Sequence, residues 1–303
     1  MRVSPIAVLC IAVLAVAHGS IFVRLAAEAE PLAIAAWRLT LASAIVLPFV
    51  WQQVRSDWRS LDARMLALLL GASALLAGHF ATWITSLDFT SIANSVVLVS
   101  TAPLWVAVIG RLTGSLRLSR LMTGAVVLSV AGAVVIGWGS AQIGLDTLRG
   151  DLLALAGAAC MGAYLLVAQR IQRTLAFAPY VGLVYATTAV LLWLTCLTAG
   201  TPVRGFAIGT WAALAGIAFV SQVIGHSGYN WSLRHLRPDF VAVTLLAEPI
   251  VASVLGLILF REAIPAATLA GGVIILAAIA LAARAQLEER RPGAASPGPA
   301  TAI

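Results

Sequence analysis

Glu248 stands beside Pro249 in the run "LLAEPIVASVLGLILF", residues 245–260, where it is the one ionisable side chain. An ionised carboxylate at the depth of a bilayer costs on the order of several kcal/mol unless it is paired or protonated. Proline has no N–H and frees the carbonyl one turn back, so a break is predicted next to the acid. A broken helix beside a buried acid is how transporters build ion and substrate sites. Glu248 is therefore a candidate proton carrier or a binder of a substrate amine. The plainer alternative is a protonated acid that hydrogen-bonds a neighbouring helix. Two further stretches carry chemistry in apolar surroundings: "GHFATWITSL" at 78–87 and "GHSGYNWSL" at 225–233. His79 and Trp83 are four apart, so they share a helix face, with Ser86 a turn on. Gln222, His226 and Asn230 repeat the spacing and predict one polar stripe, flanked by Tyr229. Lipid does not face such a stripe, which must look into the bundle or a water-filled cavity.

The histidines admit two readings. They line a cavity, His79 and Trp83 offering a polar and a stacking surface. Or each glycine allows two helices to approach and each histidine clamps them. Arg38, seven residues into an apolar run, is expected to snorkel outward or to pair with Asp88 or Glu30, and otherwise to meet a substrate carboxylate. Tyr164, His18, Asn94 and Trp105 are further candidate lining residues. No cofactor or metal is expected. Walker A, HExxH and GxSxG patterns are absent, as is a pair of intramembrane aspartates. Cys10, Cys160 and Cys196 show neither metal spacing nor a disulfide framework.

The elements that must position these residues follow from composition. The 303-residue chain is 61% hydrophobic and 10% charged, far below the roughly 25% charge of soluble domains. It is predicted to be all-α and integral to a membrane. Apolar runs of bridging length fall near residues 5–23, 31–50, 64–86, 91–110, 119–138, 150–169, 178–198, 207–230, 239–260 and 266–283, which predicts ten transmembrane helices. All nineteen cationic residues are Arg. With the N-terminus in the cytoplasm, fourteen lie inside and four outside (Arg24, Arg149, Arg204, Arg261). This asymmetry accounts for the net charge of +7 without nucleic acid. Residues 1–17 also resemble a signal peptide, with "AVA" before His18. An uncleaved first helix is the expectation, because the repeat described next needs it.

Gly78-His79 matches Gly225-His226 at a spacing of 147, Pro103 matches Pro249 at 146, and Pro31 matches Pro179 at 148. Two copies of five helices are predicted. Five is odd, so the second copy enters from the opposite side and the repeats are inverted around a central cavity. Pro103 and Pro249 are the expected helix breaks, Pro103 in mid-helix. The first repeat is expected over 1–138, a periplasmic linker over 139–149, the second repeat over 150–284 and a disordered cytoplasmic tail over 285–303.

Several stretches resemble a known family. "HGSIFV" at 18–23 lies where that family usually has a Trp-Gly pair. "EPLAIAAWRLTLASAI" at 30–45 resembles its helix 2, and "GDLLALAGAACMGAYLLVAQR" at 150–170 the start of its second copy. "LLAEPIVASVLGLILFREAI" at 245–264, with Glu262 after the helix, is the most specific. On these residues the chain is identified as a member of the EamA-type, ten-helix drug/metabolite transporter superfamily. It departs at His18, where Trp is usual, and at Ala102, which stands where the second copy has Glu248. The resemblance implies a basket of helices and export of amino acids, purines, amphipathic drugs or other small metabolites.

The resulting expectation is a secondary transporter rather than an enzyme, exporting small solutes by alternating access, with proton coupling through Glu248 open. Its partners would be a small-molecule substrate, protons and the lipid bilayer, in a bacterial inner membrane, as monomer or homodimer. A ligand sensor without transport, or an importer of the same fold, is the alternative.

Overall fold

In a computed structural model, described over residues 4–58, 61–90, 95, 98–138, 145–261, 264 and 266–289, the chain is helical, with no strand among the described residues. The helices are α1 (Pro5–Leu25), α2 (Pro31–Trp58), α3 (Ala63–Ser86), α4 (Ala102–Leu112), α5 (Arg120–Trp138), α6 (Leu145–Ile171), α7 (Phe177–Ala199), α8 (Ile208–Ser232), α9 (Pro238–Leu245), α10 (Glu248–Phe260) and α11 (Ala266–Glu289). Counting Pro238–Leu259 as one span, eight segments are long and apolar enough to cross a membrane. Ala102–Leu112 and Arg120–Ile136 are shorter apolar helices. Large apolar side chains such as Phe49, Leu112 and Ile258 are exposed on the outer surface. Lipid solvates such a surface, and away from the helix ends backbone groups are satisfied within their own helices.

Local chemistry starts and stops these helices. Pro5, Pro31 and Pro238 stand at first positions, where no N–H is needed. The Asp62 carboxylate accepts from Met65 N at 2.7 Å and caps α3. Gly200, at φ +69°, closes α7 in the left-handed conformation that ends many helices.

The helices pair across the two halves. α1 lies along α8, α2 along α7, α3 along α6, α5 along α11, and α4 meets α9. In lipid this packing depends on close backbone approach more than on apolar burial. A Cβ on Gly78 would meet Cys160 Sγ of α6 at 3.2 Å. One on Gly225 would press into Val16 and lie 3.3 Å from the Ala12 carbonyl of α1. At one end of the bundle, the Glu28 carboxylate in the α1–α2 loop accepts from Ala207 N at 2.9 Å and Thr210 Oγ1 at 2.7 Å. It thereby caps α8. These bonds hold the Glu28 carboxyl below its usual pKa, first through the Ala207 amide and then through Thr210.

The span expected over 239–260 is one apolar segment, Pro238–Leu259, interrupted at Leu246–Ala247 just before Pro249, where a break is predicted. Three expectations are corrected. Pro103 is not in mid-helix, because α4 begins at Ala102 and the proline sits in its first turn. Helix α6 begins at Leu145, inside the expected linker of 139–149. Helix α11 runs to Glu289, past the expected start of the tail at 285, because Ala285 and Gln286 are buried and Arg284 Nε bonds Glu288 Oε1 at 3.0 Å. The rest of the tail, Asn94 and Glu262 lie outside the described residues.

Candidate functional site

The two breaks are matched. α4 opens at Ala102-Pro103 and α10 at Glu248-Pro249, 146 residues apart. Neither start is capped by a side-chain hydrogen bond. Helix starts carry unpaired N–H groups and the positive end of the dipole. Both face one cavity of about 90 Å³, whose lining includes Arg38, His79, Phe80, Trp83, Met161, His226, Tyr229, Ala102, Pro103, Glu248 and Pro249. Pockets that enclose drug-sized ligands hold roughly 300–1,000 Å³. A whole metabolite therefore enters only when the surrounding helices part.

Arg38 is the principal surprise. It neither snorkels nor pairs with Asp88 or Glu30: only 2% of its surface is exposed. Its Nε donates to Gln222 Oε1 at 2.6 Å, and its Cζ lies 4.4 Å from the centre of the Phe80 ring. Ring face and amide together make burial of the cation tolerable. Its Nη2 has no hydrogen-bond partner among the described residues. Arg38 and Glu248 line the same cavity, yet among the described residues they form no ion pair. Asp88, in the α3–α4 turn, is instead partly desolvated, which raises its carboxyl above the usual pKa.

The two histidines are used differently. His79 Nδ1 lies 2.9 Å from the Gly157 carbonyl of α6. A carbonyl only accepts, so Nδ1 carries the proton. The ring stacks on Trp83, centroids 5.8 Å apart at 14°. His226 Nδ1 has no partner among the described residues, and its ring leans on Phe80 at 5.4 Å and Tyr229 at 5.5 Å.

Gln222, His226 and Asn230 are all buried in the bundle, but the helix that carries them is not α-helical throughout. Residues Ile217–His226 form a π-helix, with wider turns than an α-helix. His226 reaches the cavity. Gln222 and Asn230 are buried outside its lining, Gln222 holding Arg38 and Asn230 Oδ1 accepting from Tyr164 OH at 2.8 Å. Tyr164 in turn accepts from Tyr180 OH at 3.1 Å. Tyr164 therefore belongs to a buried hydrogen-bond cluster beside the cavity. His18, bonded to the Leu14 carbonyl at 2.8 Å, and Trp105, packed against Gly162, are also outside the lining.

Sequence reasoning missed Phe80 and Met161 in the lining, and Gly157, Tyr180 and Tyr185 among its supports. Phe80 follows His79 directly, and that adjacency was the available signal. An apolar ring in an apolar helix otherwise gives none.

The profile of the EamA-like transporter family matches this chain twice, over residues 3–138 and 148–284. The chain belongs to that family, within the drug/metabolite transporter superfamily. It is a multi-pass membrane transporter for small molecules. It is similar to an uncharacterized transporter, YyaM, of Bacillus subtilis (strain 168), 23% identical over 244 residues that cover 75% of this chain and 76% of that one. It is also similar to an uncharacterized transporter of Archaeoglobus fulgidus, 24% identical over 264 residues, 84% of this chain and 88% of that one. A crystal structure of a protein 16% identical matches with a TM-score of 0.79 over 96% of this chain and 100% of the other, and shares the fold.

Proposed function

We infer that this protein exports small metabolites (amino acids, purines or amphipathic drugs) across a bacterial inner membrane by alternating access, with both termini cytoplasmic. The observation that carries the reading is the pairing of helices across the halves. Taken as ten spans, the first pairs with the eighth and ninth, the second with the seventh, the third with the sixth, the fourth with the sixth and ninth, and the fifth with the tenth. Exchanging the halves maps each pair onto another pair or onto itself. That is the pairing expected of two inverted five-helix repeats. Two broken helices, matched in position, meet at the cavity between the halves. Rocking one half against the other then exposes the same site to either side. Glu248, at a helix start inside that site, is the group placed to carry a proton through the cycle.

The test is a mass-spectrometric survey of solutes in the medium of overexpressing cells, wild type beside Glu248→Ala at matched membrane levels. The reading expects one solute class to accumulate with wild type and not with the variant. A medium unchanged by wild type, with protein confirmed in the membrane, and no flux of any solute in liposomes, would overturn it.

A further inference from the structure

The cavity lining is unequal in its hydrogen-bonding capacity. Three lining residues carry a buried side-chain donor that has no hydrogen-bond partner among the described residues: Arg38 Nη2, Trp83 Nε1 and Tyr229 OH. Against them stand the Glu248 carboxylate, at the start of α10, and His226 Nδ1, which also has no partner among the described residues and can accept or donate. A buried donor left unpaired is costly, and a charged one most of all. Such a lining is completed by an acceptor, and by an anionic one where the donor is a guanidinium.

The two halves divide the charges. Arg38 in α2 corresponds, at the 148 spacing of Pro31 and Pro179, to Ala186 in α7. Glu248 at the start of α10 corresponds, at the 146 spacing, to Ala102 at the start of α4. The positive end of α10 thus has a carboxylate of its own. The equally uncapped positive end of α4 has a methyl group. Both helices exceed ten residues, so both have a developed dipole.

From these placements we propose that the cavity binds solutes through a carboxylate seated on the Arg38 guanidinium, with the uncapped start of α4 on the same lining. The apolar body of the solute lies along Phe80, Trp83, Tyr229 and Met161. Ionised Glu248 is the resident counter-charge of Arg38 and repels a second carboxylate in the same low-dielectric space. The solute carboxylate therefore enters when Glu248 has taken a proton, and anion and proton move together. The other titratable groups on the lining are His79, His226 and Tyr229, and His79 has its Nδ1 proton committed to Gly157. The traffic rests on the transporter reading; the binding does not.

The test uses the purified full chain in lipid nanodiscs. The probes are benzoate and phenylacetate, set against benzylamine and benzyl alcohol, read by tryptophan fluorescence and thermal shift. The carboxylates are expected to bind saturably and the other two to fail. Arg38→Gln should weaken carboxylate binding by about tenfold or more, as befits loss of a charge-assisted bidentate contact. Should Arg38→Gln not fold, Arg38→Lys, which keeps the charge and loses the fork, takes its place with a smaller loss expected. Glu248→Gln should bind carboxylates more tightly than wild type and with less dependence on pH. The proposal is overturned if benzylamine binds in preference, if benzyl alcohol binds as well as benzoate, if Glu248→Gln abolishes binding, or if no probe binds. Liposome flux separates it from the exporter reading. Carboxylate binding without flux ends that reading and keeps the site. Flux confined to solutes lacking a carboxylate keeps the transporter and ends the site.

Discussion

Gly78-His79 and Gly225-His226 are written alike and sit on matching helices, yet only the first is closed. His79 is satisfied by the Gly157 carbonyl of α6. His226 faces the cavity, its Nδ1 without a partner among the described residues. On α1 the matching bond is made by a different residue, Ser221 Oγ donating to the Ala15 carbonyl at 3.2 Å. The π-helix of Ile217–His226 accompanies the difference. Its wider turns change which residues share a face, so the pairing made in α3 is not reproduced in α8. The lesson is that a duplicated phrase preserves the packing role of its glycine more faithfully than the chemical role of its histidine.

The sharpest way to break this comparison is at the glycines. Gly225→Ala drives a methyl into Val16 and toward the α1 backbone, whereas Gly78→Ala meets only the Cys160 sulfur. Overpacking of this kind costs about 1–3 kcal/mol. The expected result is a clear loss of thermal stability for Gly225→Ala and a small one for Gly78→Ala, read by fluorescence-detected melting in detergent. Equal losses would show that the two contacts are equally tight.

Exchanging the histidines tests the next difference. His79→Ala removes a buried hydrogen bond to the Gly157 carbonyl, which keeps its partner within α6, at about 1 kcal/mol. It should lower the melting temperature. His226→Ala should leave melting nearly unchanged and alter solute flux. The reverse pattern would mean that the clamp and the cavity residue have been assigned the wrong way round.

Tyr164→Phe removes the hydroxyl shared with Asn230 and Tyr180. About 1 kcal/mol is expected, the worth of a typical hydrogen bond with partial rearrangement. The expected readout is a modest drop in melting temperature, with carboxylate binding kept. Lost binding at unchanged stability would move Tyr164 into the binding site.

The smallest effect belongs to Glu28. Its carboxyl is held below the usual range by the Ala207 amide and Thr210. The contact contributes fully at neutral pH, above the unfolded pKa, and is lost as pH falls through the lowered folded value. A melting profile from pH 7 to pH 3 should show a shallow acid-side decline that Glu28→Gln flattens. A parallel decline in both proteins would assign the loss to other carboxylates.

Much of the site was legible because membranes make polar residues conspicuous. Glu248, Arg38, His79 and His226 stand out in an apolar chain, and all four reach the cavity. Gln222, Asn230 and Tyr164 were equally conspicuous and went elsewhere, into bonds with Arg38 and with one another. Phe80 and Met161 left no signal, since a lining carbon is indistinguishable in sequence from a packing carbon. The helix ends were least legible. α11 continues to Glu289 because its last turns pack, and composition does not record packing.

The amino-acid sequence by itself determined that this is a helical membrane protein written in two related halves, with broken helices at two prolines. Hydrophobic length and proline chemistry act locally, and a reader of the chain sees them directly. Only the tertiary structure decided that Arg38 turns inward onto Gln222 and Phe80, that one histidine is spent on a carbonyl while the other is free, and that the two uncapped helix starts meet at one cavity. Those outcomes depend on groups 78 and 184 residues apart coming within bonding distance, which no local pattern encodes.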